Sequence, residues 1–388
     1  MRIRPLTSCL LMLPLAFAPA LAQEPQKAVG IAASDDPDAA ETATSKVPLD
    51  EIRRYVAVYN AIKQAYVDQV DDDRLMQSAV RGLLLDLDPH SVYFNKADAR
   101  VFDEQTDGAY EGIGVELFQL PDRTMRVVAP IDDTPAARAG IKAGDLIVAI
   151  DGKPIELEND DTSPLRGKPG SAVTLTIVRV GAPKPFDVTL TREKIRVASV
   201  RNRMLEPGYG YVRVSTFQAD TAADFVTALD KLKAQNGGKL RGVVLDLRSN
   251  PGGLLTSAVQ MADELLNKGK IVSTRGRIAI SDAEFSATPG DRLDGAPVVV
   301  LVDAGSASAS EVLAGALRDN GRARVVGSRT FGKGSVQTLL PLDNGDSVKL
   351  TTARYFTPSG KSIQARGIAP DVVLKPEKTS ASGVAGYT

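Results

Sequence analysis

The chain has 388 residues, 43% of them apolar, 24% charged and 5% aromatic, enough for about two or three domains and at least one full core. Lys and Arg number 47 against 48 Asp and Glu, and the net charge of −1 leaves no basic excess for coating a nucleic-acid duplex. One His (His90), one Cys (Cys9) and no Trp exclude a disulfide framework and any zinc site built from clustered His and Cys of one chain.

Residues 1–22 read as a secretory signal peptide. Arg2 and Arg4 precede an apolar stretch over 10–18, and Ala20-Leu21-Ala22 forms a small-x-small cleavage site before Gln23. Removing that segment takes Cys9 with it and leaves 45 basic against 48 acidic groups. No later run approaches the length of a membrane span, so the expectation is a soluble, exported chain, periplasmic or otherwise outside the cytoplasm. Residues 23–47, rich in Ala, Asp, Glu, Pro and Thr without a period, read as a disordered linker.

Ile52, Tyr55, Val56, Tyr59, Ile62 and Tyr66 recur at helical spacing, and a second helix is expected over 74–87, stopped by Asp88-Pro89. Two short helices seldom bury their apolar faces alone. The region 48–107 therefore reads as a helical arm, either a cap on a larger domain or a dimerisation surface. Residues 108–193 form a β-rich block. It opens with the Gly-flanked turn Gly112-Ile113-Gly114-Val115 before an alternating strand and ends in a strand pair over 172–179 and 185–192. From 194 to 372 strands and helices alternate, with helices expected over 221–234, 254–268 and 308–319, which indicates a layered α/β core. Residues 373–388 read as a polar tail.

With only His90 available, a Ser-His-Asp arrangement has no plausible base, and Ser-Lys is the variant that dispenses with imidazole. Three segments bear on that chemistry. The apolar strand Val298–Val302 runs through a small-residue turn to Ser308 at a helix start, where unpaired N–H groups favour an oxyanion. Ser308-Ala309-Ser310-Glu311 equally fits a capping box. Lys333 stands between Gly332 and Gly334, and Gln337 four residues on shares its face of an extended strand, where it can hold the amine; alone, this reads equally as a solvated loop lysine. A lysine base must be neutral, which requires burial and no carboxylate beside the amine. The third segment, Pro251-Gly252-Gly253, lets backbone N–H groups of Gly252 or Gly253 join that of Ala309 around a carbonyl oxygen, or is simply a tight βα turn.

Taken together, Arg248-Ser-Asn-Pro-Gly-Gly253, Gly305-Ser-Ala-Ser-Ala-Ser-Glu311 and Phe331-Gly-Lys-Gly-Ser-Val-Gln337, in that order, resemble the carboxyl-terminal processing peptidases over nearly the whole mature chain. The resemblance implies an α/β protease core with an inserted PDZ domain and an N-terminal helical arm. It also implies a serine endopeptidase that needs no cofactor and acts on polypeptides with exposed C-termini. It makes Ser308 the nucleophile, Lys333, 25 residues on, its base, and Gln337 the residue that orients the lysine. Asp319 matches a family carboxylate of structural character. The Gly112–Val115 turn would receive the substrate's terminal carboxylate, with the peptide adding as a strand beside it. Arg166 is the candidate for relaying peptide occupancy to the catalytic site. An activating partner protein and homo-oligomerisation are expected. The rival reading is a catalytically silent PDZ adaptor or chaperone.

Overall fold

The computed structural model describes residues 47–120, 124–155, 163–278 and 281–374. The signal-peptide reading, the linker reading before Val47 and the tail beyond Leu374 fall outside them. Helix α1 (Leu49–Ala65) buries none of its side chains, and α2 (Asp72–Leu85), capped by Asp71, buries only Leu84. Strand β1 (Val92–Phe94) follows, then α3 (Lys96–Asp107), a helix the periodicity does not predict. Its signal is the cap. Asn95 Oδ1 accepts the N–H groups of Ala97 and Asp98, each at 2.9 Å.

The insert comprises β2 (Ala109–Gly112), β3 (Val115–Gln119), β4 (Met125–Pro130), α4 (Pro135–Arg138), β5 (Leu146–Ile150), β6 (Lys153–Pro154), β7 (Ala172–Val178), β8 (Phe186–Thr191) and β9 (Glu193–Arg196). Its antiparallel sheet runs β3-β4-β5-β7-β8, with β6 on β5, while β2 and β9 pair with each other and close the insert at its base. Alternation sorts the faces: in β7, Val173, Leu175 and Ile177 point into a core with Ile113, Met125 and Ile147. Strand β3 lies at the sheet's edge, with one side unpaired among the described residues.

The remaining chain supplies β10 (Val200–Glu206), β11 (Tyr209–Val214), α5 (Thr221–Gln235), β12 (Gly242–Asp246), α6 (Leu255–Asp263), β13 (Lys270–Gly276), β14 (Ala283–Ser286), β15 (Val298–Val302), α7 (Ala309–Asp319), β16 (Ala323–Gly327), β17 (Ser335–Pro341), β18 (Ser347–Phe356) and β19 (Val372–Val373). One sheet, ordered β10-β11-β12-β15-β16-β19, is parallel from β11 onward. A second, antiparallel, is ordered β1-β18-β13-β14 with β17 also on β18. Continuous apolar runs such as Val298–Val302 suit strands covered on both faces. Helix α6 stops at Asp263 instead of 268. Beyond it, Asp263 and Asn267 side chains accept N–H groups of Thr288, Gly290 and Asp291, and the Glu264 carbonyl accepts that of Arg292, so the chain turns away to hold that loop.

Candidate active site

The parallel strands β12 and β15 end side by side, and the turns after them meet, as at the ligand-binding edge of open α/β sheets. Asp303 accepts the N–H of Ser249 at 2.8 Å and that of Gly305 at 2.9 Å, and Ser306 Oγ donates to the Leu247 carbonyl at 2.8 Å. The Asn250 carbonyl accepts from Ala307 N–H and Ser310 Oγ. Locked in this way, the buried Ser308 stands at the N-terminus of α7 with φ 56° and ψ −114°, a conformation that costs a non-glycine residue about 1–3 kcal/mol.

Lys333 is fixed from the other side by its backbone. The fully buried Glu311, one turn into α7, accepts four hydrogen bonds: Ser308 N–H (2.9 Å) and Lys333 N–H (2.9 Å) on Oε2, Gly332 N–H (2.8 Å) and Thr330 Oγ1 (2.5 Å) on Oε1. Ala365 N–H donates to the Gly332 carbonyl, Gly334 N–H donates to Gln364 Oε1, and Tyr355 N–H donates to the Gly334 carbonyl. A Cβ on Gly334 would stand 2.4 Å from the Gln364 nitrogen, so the loop needs glycine there. The segment Ser359–Gln364 thus braces the lysine turn. Sequence periodicity carries no sign of this contact.

Ser308 and Lys333 line one cavity of about 460 Å³, together with Gly252, Gly253, Gln337, Lys349, Tyr355 and α3 residues including Phe102. No hydrogen bond joins the Ser308 hydroxyl to Lys333 Nζ. Burial pushes the Lys333 amine below the ordinary lysine value, and the Lys349 charge adds to this; Asp88 opposes as the smallest contribution. The Asp88 carboxylate is engaged by Ser91 Oγ and by the N–H groups of His90 and Ser91 at 2.7–3.0 Å. Far from being remote, as its sequence position implies, His90 lies within electrostatic reach of both lysines. Burial first, then their charges, hold its pKa below the usual histidine value. Tyr355 is buried, its phenol pushed up to about 12 against a hydrogen bond with the Ser308 hydroxyl.

Gln337 lines the same cavity as Lys333, on a strand β17 that begins at Ser335 and pairs with β18 across a register shift between Val336 and Gln337. Gln337 Nε2 donates to Ser335 Oγ (2.9 Å) and Thr351 Oγ1 (3.2 Å), with no hydrogen bond to the lysine.

The two glycines differ as well. Gly252 N–H donates to Asn250 Oδ1 at 2.9 Å, whereas among the described residues neither Gly253 N–H nor Ala309 N–H has a partner. Gly252 is nevertheless required by packing. With φ +106°, a Cβ there would sit 2.8 Å from the Ala307 carbonyl oxygen and from Ser308 Cβ.

In the insert, Ile113 is buried and Gly114 (φ +78°) packs against Thr134, whose hydroxyl donates to the Gly114 carbonyl. The Tyr110 ring lies against Gly112, and burial raises the pKa of its phenol. The Arg166 guanidinium lies over that ring, 5.2 Å from its centroid, and pairs with Glu104 of α3, a helix whose Phe102, Asp103, Gln105 and Thr106 line the cavity shared by Ser308 and Lys333. Asp319 stands outside the cavity, its carboxylate holding Ser359 through N–H (3.2 Å) and Oγ (2.7 Å).

The sequence pattern of peptidase family S41 matches residues 208–374, that of a PDZ domain residues 126–179, and that of the activating protease CtpB N-terminal domain residues 18–98. A carboxy-terminal-processing protease of Bartonella bacilliformis is 45% identical over 84% of this chain and 76% of its own length. The carboxy-terminal processing protease CtpA of Bacillus subtilis is 35% identical over 81% of this chain and 67% of its own. Among solved structures, the photosystem II D1 C-terminal processing protease is 33% identical, covering 86% of this chain and 94% of that one with a TM-score of 0.49.

Proposed function

The chain belongs to peptidase family S41 and is a serine-type, carboxy-terminal processing protease; from that premise we propose that Ser308 and Lys333 form its catalytic dyad. The observation that carries this reading is the single Glu311 oxygen that binds both backbone amides, beside a cavity both side chains line. Ser308 Oγ attacks the peptide carbonyl while its proton passes to neutral Lys333 Nζ. The N–H groups of Ala309 and Gly253 receive the oxyanion. Lys333 then protonates the departing amine, and water, deprotonated by the same lysine, releases the acyl group. Gln337, which lines the same cavity and is held by the Ser335 and Thr351 hydroxyls, orients the lysine.

Substrate selection belongs to the PDZ domain. The unpaired edge of β3 takes an extended peptide as an added strand, and the turn at Gly112, Ile113, Gly114 and Val115 takes its terminal carboxylate. Arg166, through Glu104, ties that domain to the helix over the catalytic cavity. The exposed apolar side chains of α1, among them Leu49, Ile52, Val56 and Val58, suit the arm to a second copy or an activating partner. The Arg2/Arg4 pair and apolar run of residues 1–22 support export.

The test is turnover of a denatured protein ending in an apolar C-terminal peptide. Ser308→Ala and Lys333→Ala are expected to abolish cleavage while binding of the C-terminal peptide persists. Turnover by Ser308→Ala at the wild-type rate would reject the dyad.

A further inference from the structure

Two amines face the cavity that Ser308 lines, Lys333 and Lys349. Lys349 is on β18, opposite Leu339 of β17 and two residues before Thr351, which stands opposite Gln337. Its Nζ lies 5.2 Å from the ring centroid of Phe94 and 5.3 Å from that of Phe102, and the two rings stack at 5.2 Å. Among the described residues no carboxylate forms an ion pair with either amine. Burial penalises both charges, but the surroundings differ. Two aromatic faces favour an ammonium at Lys349, and Lys333 has no such support. Like charges in one half-buried cavity resist coexisting, so the less supported amine gives up its proton first.

We propose that Lys349 is a positioning residue for catalysis: its ammonium, anchored on Phe94 and Phe102 of the N-terminal arm, holds the cavity's positive charge and leaves Lys333 free to accept the Ser308 proton. The proposal rests on the reading of Lys333 as the base. When the Ser308 O–C bond forms and Lys333 takes the proton, two ammonium groups share the cavity. That repulsion favours passing the proton on to the leaving nitrogen as the C–N bond breaks.

The other groups around Lys333 do not supply this charge. Tyr355 on β18 is a neutral phenol, and Glu311 spends both oxygens on four donors. His90 has its pKa lowered by burial first, and positive charge in the cavity further disfavours its imidazolium. Asp88 acts in the opposite sense, and Asp103 of α3, across the cavity, is exposed to solvent.

The experiment is the pH dependence of kcat/KM, whose acidic limb reports the essential base of the free enzyme. Lys349→Met is expected to move that limb to higher pH, with activity at pH 7 falling about tenfold for each unit of displacement and returning under alkaline conditions. Lys349→Arg keeps the charge and should keep the limb in place whatever its plateau. The same displacement is expected in a His90→Gln background. Lys349→Gln replaces the Met variant if a thermal melt shows that variant unfolded. A limb that stays put in the uncharged variants, or moves equally in Lys349→Arg, overturns the proposal. Wild-type turnover by Lys333→Met would instead overturn the dyad itself.

Discussion

Ser308 and Lys333 are joined through one atom: the backbone N–H of each donates to Oε2 of Glu311 at 2.9 Å. The spacing of the two proposed dyad residues is therefore set by a buried carboxylate and two main-chain amides, and not by a hydrogen bond between their side chains. A shift of about 1 Å in such a pair can cost about a hundredfold in rate. Glu311→Gln keeps one acceptor oxygen but turns an amide NH₂ toward N–H donors. Because hydrogen bonds to a charged acceptor are worth about 1.5–3 kcal/mol each, the expected loss is about 3 kcal/mol of stability. A fall in kcat of about a hundredfold should accompany it, with a smaller change in KM. Denaturant melts and single-turnover kinetics check both. Unchanged kcat would remove Glu311 from the positioning role.

Gly252 offers a second, steric test. A Cβ at this position meets the Ala307 carbonyl oxygen and Ser308 Cβ at 2.8 Å, and φ is +106°. Gly252→Ala is expected to displace Ser308 and lower kcat by about a hundredfold, with about 1–3 kcal/mol of strain. Gly82 is the contrasting site: it lies within α2, has no positive φ and nothing within 4 Å of its would-be Cβ. There Gly→Ala should leave turnover alone and stabilise by about 0.5–1 kcal/mol. Equal effects at the two sites would contradict the packing argument.

How much of this was legible beforehand depends on the range of each interaction. Ser308 announces itself through local features, since an apolar strand, small residues and a helix start lie within about a dozen positions. The helices at 221–235 and 309–319 follow from periodicity and capping for the same reason. Glu311 is visible only as a cap partner, because its bonds to Gly332 and Lys333 span more than 20 positions. Lys349 carries no sequence signal at all. Its importance arises when β1 and α3 bring Phe94 and Phe102 over β18. For Gln337, the cavity it shares with Lys333 agrees with the four-residue spacing, but its hydrogen bonds to Ser335 and Thr351 were not legible, because Thr351 comes from the neighbouring strand β18. His90 shows the converse, a residue distant in sequence that folding carries to the site's edge.

Communication between the PDZ domain and the cavity should run through Arg166 and Glu104. The guanidinium stacks on Tyr110, whose ring lies against Gly112 of the proposed peptide-binding turn, and pairs with Glu104, which also receives Arg100 Nε at 3.2 Å. Arg166→Ala and Glu104→Gln are each expected to reduce the stimulation of proteolysis by a saturating C-terminal peptide by about fivefold or more. If the pair acts as a unit, the double variant loses no more than either single one. The measured quantity is the ratio of turnover with and without peptide on an unrelated denatured protein. Additive losses would separate the two residues.

An amine kept below its ordinary pKa also leaves a thermodynamic trace. Folding disfavours the charged form of Lys333, so between its native and unfolded pKa values the unfolded chain binds more protons than the native one. Stability then rises with pH across that window, and the penalty is fully present below the native value. Lys333→Met removes the penalty while filling the same space. The expected result is a variant with no proteolytic turnover but a Tm higher at neutral pH, by on the order of 1–2 °C for a chain of this size. The difference should shrink as the pH rises through that window and vanish only above the unfolded-state value of about 10.4, where the wild-type lysine is neutral in both states. Paired melts of wild type and variant from pH 6 to pH 10 check this. A Tm difference that grows with pH, or a destabilised variant at every pH, would mean that the Lys333 amine is charged and favourably held in the resting enzyme, and the base would have to be sought elsewhere.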